Sequence, residues 1–330
     1  MIRLNFYSIF ILFFIISSCS VDNGNFVINK KDYKDKLEGF WLGQSIANWT
    51  GIITEMDKIG IPTNGKGEGF YTRKNWAGKD EPNIWSNSSS YSTIDFNLAK
   101  SDSVWGSDDD TDIEYMYQEL ILENDNLRLR PNQIRDGWLK HISKEEENFL
   151  WVSNQKAFDL MQEGFLPPET SNPKNNQFYE MIDAQLTTEI FGLYSPNYPG
   201  IGLSMAYLPI RTVARENAAW ISEFYIIMHS IASLETSHKN IKGKVFWMSE
   251  QARKVLPNAS YSAKMFDYIK SKYESGISWE QTRDSLNYKY QINNEDGYNW
   301  SKIDKSCNGC FAAGINFGAS IISLFYGEGD

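Results

Sequence analysis

Apolar positions fall on helical spacings along most of the chain. The cleanest run is "DIEYMYQELILEN", 112–124. There Ile113, Met116, Tyr117, Leu120 and Ile121 sit at i, i+3, i+4, i+7 and i+8, the buried stripe of an amphipathic helix. A looser stripe of Leu37, Phe40, Trp41, Ile46 and Ala47 predicts a helix over 32–51. The run 148–165 keeps the same manner and stops at Gly164, ahead of Pro167-Pro168, a strong helix end. Further helices are predicted over 176–194, 214–235, 260–276, 278–290 and 310–330; the 214–235 segment is apolar nearly all round and should be central. "TSNPKNN" and "SPNYPGIG" read as loops. The Gly-, Asn- and Ser-rich stretch from Pro62 to Ser103 reads as a long irregular connection, a kind that is usually functional or mobile. Strand signals are few and no repeat of fixed period is present. The pattern predicts a single compact all-α domain over 33–330.

The first twenty residues, "MIRLNFYSIFILFFIISSCS", break this pattern. Arg3 is followed by an apolar stretch from about Phe6 to Ile16 and then by small residues, the order of a secretory signal and too short to span a bilayer comfortably. Ile16-Ser17-Ser18-Cys19 resembles a bacterial lipobox, which implies lipidation of Cys19 and a membrane anchor there. An ordinary cleaved signal with an incidental cysteine is the alternative. Residues 1–19 are thus expected to be a lipoprotein signal and 20–32 a tether. The expected location is the bacterial cell envelope, facing the periplasm or outer membrane.

Composition adds two constraints. The net charge of −10 argues against a nucleic-acid partner, which needs a basic surface. Aromatic residues make up 15% of the chain, with 11 Trp, which suits either a heavy aromatic core or a pocket for a planar or sugar-like ligand. A monomer is expected. Cys307 and Cys310, in "SCNGC", are read as free or locally bridged thiols, because one CxxC does not make a four-ligand zinc site. His141, His229 and His238 show no metal spacing, and His229, in "FYIIMHSIA", reads as a hydrogen-bonded core histidine.

The chemistry concentrates in "WGSDDDTDIEY", where Asp108, Asp109, Asp110 and Asp112 fall within five residues. Like charges this close raise one another's pKa. Solvent, a helix N-terminus or a bound cation could make the cluster tolerable. Asp112, directly before the stripe, can cap a helix, but capping uses only one or two of the oxygens. An EF-hand fails: Asp108, Asp110, Asp112 and Glu119 have the right spacing, yet the sixth position is Ile113, not Gly, and the helical stripe begins inside the loop. A hard-cation site for Mg²⁺ or Mn²⁺ at the helix start and a solvated cap both remain open.

The segment "DDDTDIEYMYQELI" resembles the Asp-Asp-Thr motif of the ADP-ribosylglycohydrolase family, with Asp109-Asp110-Thr111 in register and Asp108 where many members have Thr. "EGFWLGQSIANWTGIITE" resembles the family's first helix through Gly39, Gly43, Gly51 and Glu55. Ala47 replaces a Gly of that pattern and Asn48 replaces its Asp. "KAFDLMQEGFLPPETSN" and "IDAQLTTEIFGLYSPNYPGIGLSMA" are weaker matches in the family's order. The family's second acidic motif, Asp-x-Asp-Thr or Asp-x-Asp-Ser, has no counterpart before Asp330. Glu295 and Asp296 precede the last helix and do not match. By this comparison the domain is expected to be C-terminally incomplete.

The resemblance implies an orthogonal all-α domain that hydrolyses an N- or O-glycosidic bond of an ADP-ribosyl-type substrate. It implies Mg²⁺ or Mn²⁺, one or two ions, with the second site in doubt here. By the same resemblance Asp108, Asp109, Asp110 and Thr111 are metal ligands. Asp110 and Glu55 would be catalytic, and Asn48 and Glu55 would contact substrate. The alternative is a non-catalytic, membrane-tethered sugar- or nucleotide-binding protein that keeps one half of the metal site.

Overall fold

A computed structural model describes residues 27–53, 76–80, 92–95, 109–143, 150–233, 240–300 and 309–327. The signal stretch with Cys19, and Glu55, Asp108, His238, Cys307 and most of 62–103, lie outside the described residues. The described part is all-α. It contains no strand, only isolated bridges joining Lys79 to Thr93 and Met181 to Ala312. None of its helices is long and apolar enough to cross a membrane.

Helix α1 (Lys30–Gly51) starts three residues ahead of the expected domain boundary, because the Asn29 side chain caps it by accepting from the Lys31 and Asp32 N–H groups. Helix α2 (Asp109–Asn124) also starts earlier than its apolar stripe. Asp112 is therefore an exposed residue inside the first turns and not the cap, which corrects the sequence reading. The same continuous helix is incompatible with an EF-hand loop.

Helix α3 (Pro131–His141) begins with Pro at its first turn, where the missing N–H is not needed. Its Gln133 side chain accepts from the Arg130 N–H at 2.8 Å. Helix α4 (Val152–Gln162) ends as expected at Gly164, whose φ of +95° suits glycine. The Phe165 N–H then closes back on the Leu160 carbonyl.

The expected long helix over 176–194 is instead two single turns, α5 (Asp183–Leu186) and α6 (Ile190–Leu193). The threonines between them explain the break. Thr187 leaves the helical region at φ −122°, and the Thr187 and Thr188 hydroxyls donate back to the Asp183 and Ala184 carbonyls. The expected loop "SPNYPGIG" is also shorter than predicted, because Pro199 opens helix α7 (Pro199–Val213).

Helices α8 (Glu216–Ala232), α10 (Tyr261–Glu274), α11 (Trp279–Leu286) and α12 (Ala313–Tyr326) follow the predicted segments. α9 (Ile241–Ala252), like α3, was not in the predicted set. α8 is central, packed by α5, α6, α7, α9, α10 and α12. Phe224 on α8 meets Phe266 and Phe317 at ring separations of 5.8 and 5.2 Å, and Phe325 stacks on Phe246. Each fully buried ring of this kind stabilises the fold by roughly 1.5–3 kcal/mol through lost water contact.

Candidate functional site

The first turn of α2 carries Asp109, Asp110 and Thr111, all half-buried. Carboxylates here meet the positive end of the helix dipole. Asp109 is also held from outside the helix: the Asn154 amide nitrogen donates to its Oδ2 at 3.3 Å. Asn154 is fully buried near the start of α4, and its remaining Oδ1 is buried without a hydrogen-bond partner.

Asn154 is braced in turn. Its backbone N–H donates to Asp183 Oδ1 at 3.2 Å, and Ser153 Oγ donates to Asp183 Oδ2 at 2.6 Å. Asp183 thus caps α4 from a distant segment. Burial pushes its carboxyl up to about 6, against the hydrogen bonds from Ser153 and Asn154, which favour the ionised form. Asn176 completes the bracing by donating to the Ser153 and Thr170 carbonyls.

Helix α1 lies across the neighbouring face of α2. Tyr33 OH donates to the Leu193 carbonyl, Tyr194 OH to Gln118 Oε1, and Gln44 Nε2 to Glu114 Oε2. Trp41 also meets Tyr115 edge-on at 6.5 Å, so α1 touches α2 around Trp41 and Gln44. Asn48 lies one turn beyond Gln44 on α1, and Asp110 one turn before Glu114 on α2.

Glu114 is fully buried and accepts from the Ile190 N–H at 2.9 Å. The Glu189 carboxyl lies close enough for the two acids to act on each other electrostatically. Burial pushes Glu114 up to about 7, and burial together with the Glu114 charge holds Glu189 well above the usual carboxylate range.

On its opposite side α2 borders a cavity of about 360 Å³, lined by Asp109, Asp112, Tyr115, Glu119 and His141 among others. Asp109 joins this cavity to the Asn154 network. His141 lies 3.4 Å from Glu123. His229 is half-buried on α8: burial drives it down to about 4, so it is neutral, and its ring meets Phe40 edge-on at 5.3 Å instead of making the expected hydrogen bond. Cys310 is in a disulfide. Asp296 is paired with Lys264 and Lys289, and Glu295 with Lys289, so both belong to a separate surface network.

Among the described residues no three His, Cys, Asp or Glu side chains converge on one metal position. Mg²⁺ asks for less, since it commonly uses one or two carboxylates and keeps several waters. Asp109 and Asp110, with the unpaired Asn154 Oδ1 beside them, suit such a partly hydrated ion. They do not suit a fully protein-bound one.

The sequence reading missed Asn154, Asp183, Glu114, Glu189 and Gln44. A signal existed for some of them. Asp183 and Glu189 are the only charged residues in "IDAQLTTEIFG". Asp110, Glu114 and Gln118 form an i, i+4, i+8 polar row beside the apolar stripe. No family model, curated protein or solved structure matches the chain.

Proposed function

We propose that the chain is a glycosidic-bond hydrolase acting on an ADP-ribosyl-type substrate, with its reacting centre at the first turn of α2. The observation that carries this reading is the Asp109–Asn154–Asp183 chain of hydrogen bonds. A merely solvated helix cap needs no buried amide to orient it. Two further buried groups are committed here to holding one carboxylate at the mouth of a cavity.

In this reading Asp109 and Asp110 hold a Mg²⁺ or Mn²⁺ ion, assisted by Thr111, Asp108 and Asn154 Oδ1. When bound, the ion supplies Lewis-acid polarisation and orients sugar hydroxyls. Asn154 fixes the Asp109 carboxylate so that it does not have to reorganise during reaction. Asp110 accepts the proton of an attacking water. Negative charge at the α2 start stabilises the oxocarbenium-like sugar as the glycosidic bond breaks. Asn48 hydrogen-bonds the substrate from α1, where it can donate and accept but cannot act as a base. Glu55 is assigned substrate contact by the family resemblance alone. The expected setting is a lipid-anchored protein of the cell envelope, with Cys19 as the anchor.

The second reading is a tethered binding protein for a sugar or nucleotide. The 360 Å³ cavity, with Tyr115 and polar walls, supports it.

A melting experiment with Mg²⁺ and Mn²⁺, paired with a hydrolysis panel of ADP-ribosyl and simple glycoside substrates, separates the two. A cation that binds only the folded chain raises its melting temperature. The hydrolase reading expects a rise that Asp110→Asn abolishes, together with product release. Ligand-induced stabilisation without any product favours the binding protein. No cation response in a cooperatively melting chain removes the metal-dependent reading.

A further inference from the structure

The disulfide at Cys310 takes no part in the chemistry above, yet it sits in a turn, 309–312, that touches both halves of the Asn154–Asp183 support. We propose that this disulfide is a redox-sensitive brace for the site, and that a dithiol which reduces it loosens the Asp183 and Asn154 segments together. The effect on Asp109 rests on the hydrolase reading. The brace itself is a property of the contacts around the turn and stands separately.

The turn reaches the Asp183 side through the backbone. The Ile182 N–H donates to the Phe311 carbonyl at 2.8 Å and the Ala313 N–H to the Glu180 carbonyl at 3.0 Å, with Met181 and Ala312 bridged between them. Asp183 is the residue after Ile182. The Asn154 side is reached through a ring: Phe311 stacks on Trp151 at 5.8 Å, with the planes 24° apart. Trp151 lies directly ahead of α4, whose first turn holds Ser153 and Asn154. Residues 309–312 therefore back the two segments whose side chains meet in the Ser153–Asp183 and Asn154–Asp183 hydrogen bonds.

The shape of the turn depends on its ends being fixed. Gly309 is at φ +78°, a conformation that glycine leaves as readily as it adopts. The hydrogen bonds that hold the turn are local. The Ala312 N–H donates to the Gly309 carbonyl at 2.9 Å, and Asn316 Nδ2 donates to the Cys310 and Ala312 carbonyls at 2.6 and 3.0 Å. A cross-link at Cys310 adds a covalent tie and cuts the number of states open to the chain around it. Cys310 is half-buried, so the residue is not sealed from a small dithiol.

The step balances with a dithiol as its co-reactant. One thiolate of the dithiol attacks a sulfur of the disulfide and expels the other sulfur as a thiolate. The second thiol of the reagent then displaces the protein from the mixed disulfide. Two electrons and two protons pass to the protein, which gains two thiols, and the dithiol leaves as a disulfide. Without the cross-link the 309–312 turn opens at lower free energy. Both supports then lose the face they lean on, and Asn154 holds the Asp109 carboxylate less firmly.

Hydrogen–deuterium exchange of the full chain carrying Cys19→Ser tests this, because Cys307 and Cys310 are then its only cysteines. Peptides covering 150–160 and 178–186 report the Asn154 and Ile182 N–H groups, and 241–252 in α9 serves as reference. Dithiothreitol, with full reduction verified by alkylation, should raise exchange in both peptides by at least roughly tenfold. The reference should not move, and reoxidation should restore protection. Cys310→Ser should show the raised exchange without reductant and no further response to it. Unchanged exchange in either peptide after full reduction overturns the brace, as does a rise that the reference shares. So does a Cys310→Ser chain that exchanges like the oxidised parent, or an untreated parent in which both cysteines alkylate. Should Cys310→Ser fail to fold, the step in the parent and its reversal on reoxidation carry the test. Mn²⁺ stabilisation separates this proposal from the hydrolase reading. It should be present in the oxidised chain and shrink on reduction; a response that reduction leaves unchanged overturns the effect on Asp109. An exchange step without any Mn²⁺ response sinks only the metal-dependent reading, and a Mn²⁺ response without a step sinks only the brace.

Discussion

Asp183 shows how much one buried side chain can organise. It supplies acceptors to Ser153 and to the Asn154 N–H at a helix start that lacks a side-chain cap of its own. Asp183→Ala leaves both donors unsatisfied in a dry site and should cost about 2–3 kcal/mol of stability, read by denaturant unfolding. Asp183→Asn keeps an acceptor for Ser153 and should cost less than half as much. Asn154→Ala probes the adjacent link. If Asn154 orients Asp109 for a cation, the variant should bind Mn²⁺ roughly 10–100-fold more weakly while folding normally. Unchanged Mn²⁺ affinity would show that Asn154 braces α4 alone. The residues flagged from sequence, Asp109, Asp110 and Thr111, do sit together at a helix start, because local spacing alone decides that. Their supports were not legible. Asn154 is 45 residues from Asp109 and Asp183 is 29 from Asn154, and only the folded chain brings such groups into contact.

At the level of elements, apolar periodicity located α2, α4 and α10 because each presents one continuous stripe to the core, and α8 was legible because it is apolar nearly all round. It failed over 176–194 because period does not reveal a hydroxyl that donates to the backbone and ends a helix, as Thr187 and Thr188 do. It also missed α3 and α9, and read the start of α7 as loop because of its prolines. The α6–α8 contact depends on a glycine that periodicity cannot flag. A Cβ at Gly192 would lie 2.5 Å from the Ile226 carbonyl oxygen on α8. The contact is with backbone, so no side chain can swing aside. Gly192→Ala should therefore destabilise by about 2–3 kcal/mol, near the upper range for overpacking. An exposed control, Gly200→Ala, meets nothing within 4 Å and should differ little. Equal effects of the two changes would mean that α6 and α8 do not approach this closely.

Across the whole molecule, the buried ionisable groups set an unusual pH dependence. Glu114, Glu180, Glu189 and Asp183 are all held above the ordinary carboxyl range by burial. Each holds its proton more tightly folded than unfolded. Their contribution is full below the unfolded values near 4 and is lost as pH rises, through about 6 for Asp183 and about 7 for Glu114. His229 acts in the opposite sense. Its folded value of about 4 lies below its usual 6.5, so its contribution is lost as pH falls through that window. Glu123 and Asp296, held low by hydrogen bonds from lysines, act in the same sense as His229, but they are the more exposed groups and are screened by solvent. Stability should peak near about pH 5 and decline toward about pH 8, where many proteins are still near their maximum. Unfolding free energies at a series of pH values check this, and a maximum above neutrality would contradict it. The all-α class was readable from composition and period, since these depend on local sequence. This inverted acid balance was not, since burial is a property of the assembled core.

The central claim is that the first turn of α2 performs hydrolysis. The most direct test is the rate of ADP-ribose release from an ADP-ribosylated substrate in Mn²⁺, comparing the wild type with Asp110→Asn. Removing a group that contributes only in the transition state typically lowers kcat by about 10²–10⁴-fold. The account predicts release by the wild type, its loss on chelation, and a fall of that order in the variant at unchanged melting cooperativity. Equal rates in the two proteins, or no release by a folded wild type, would contradict it.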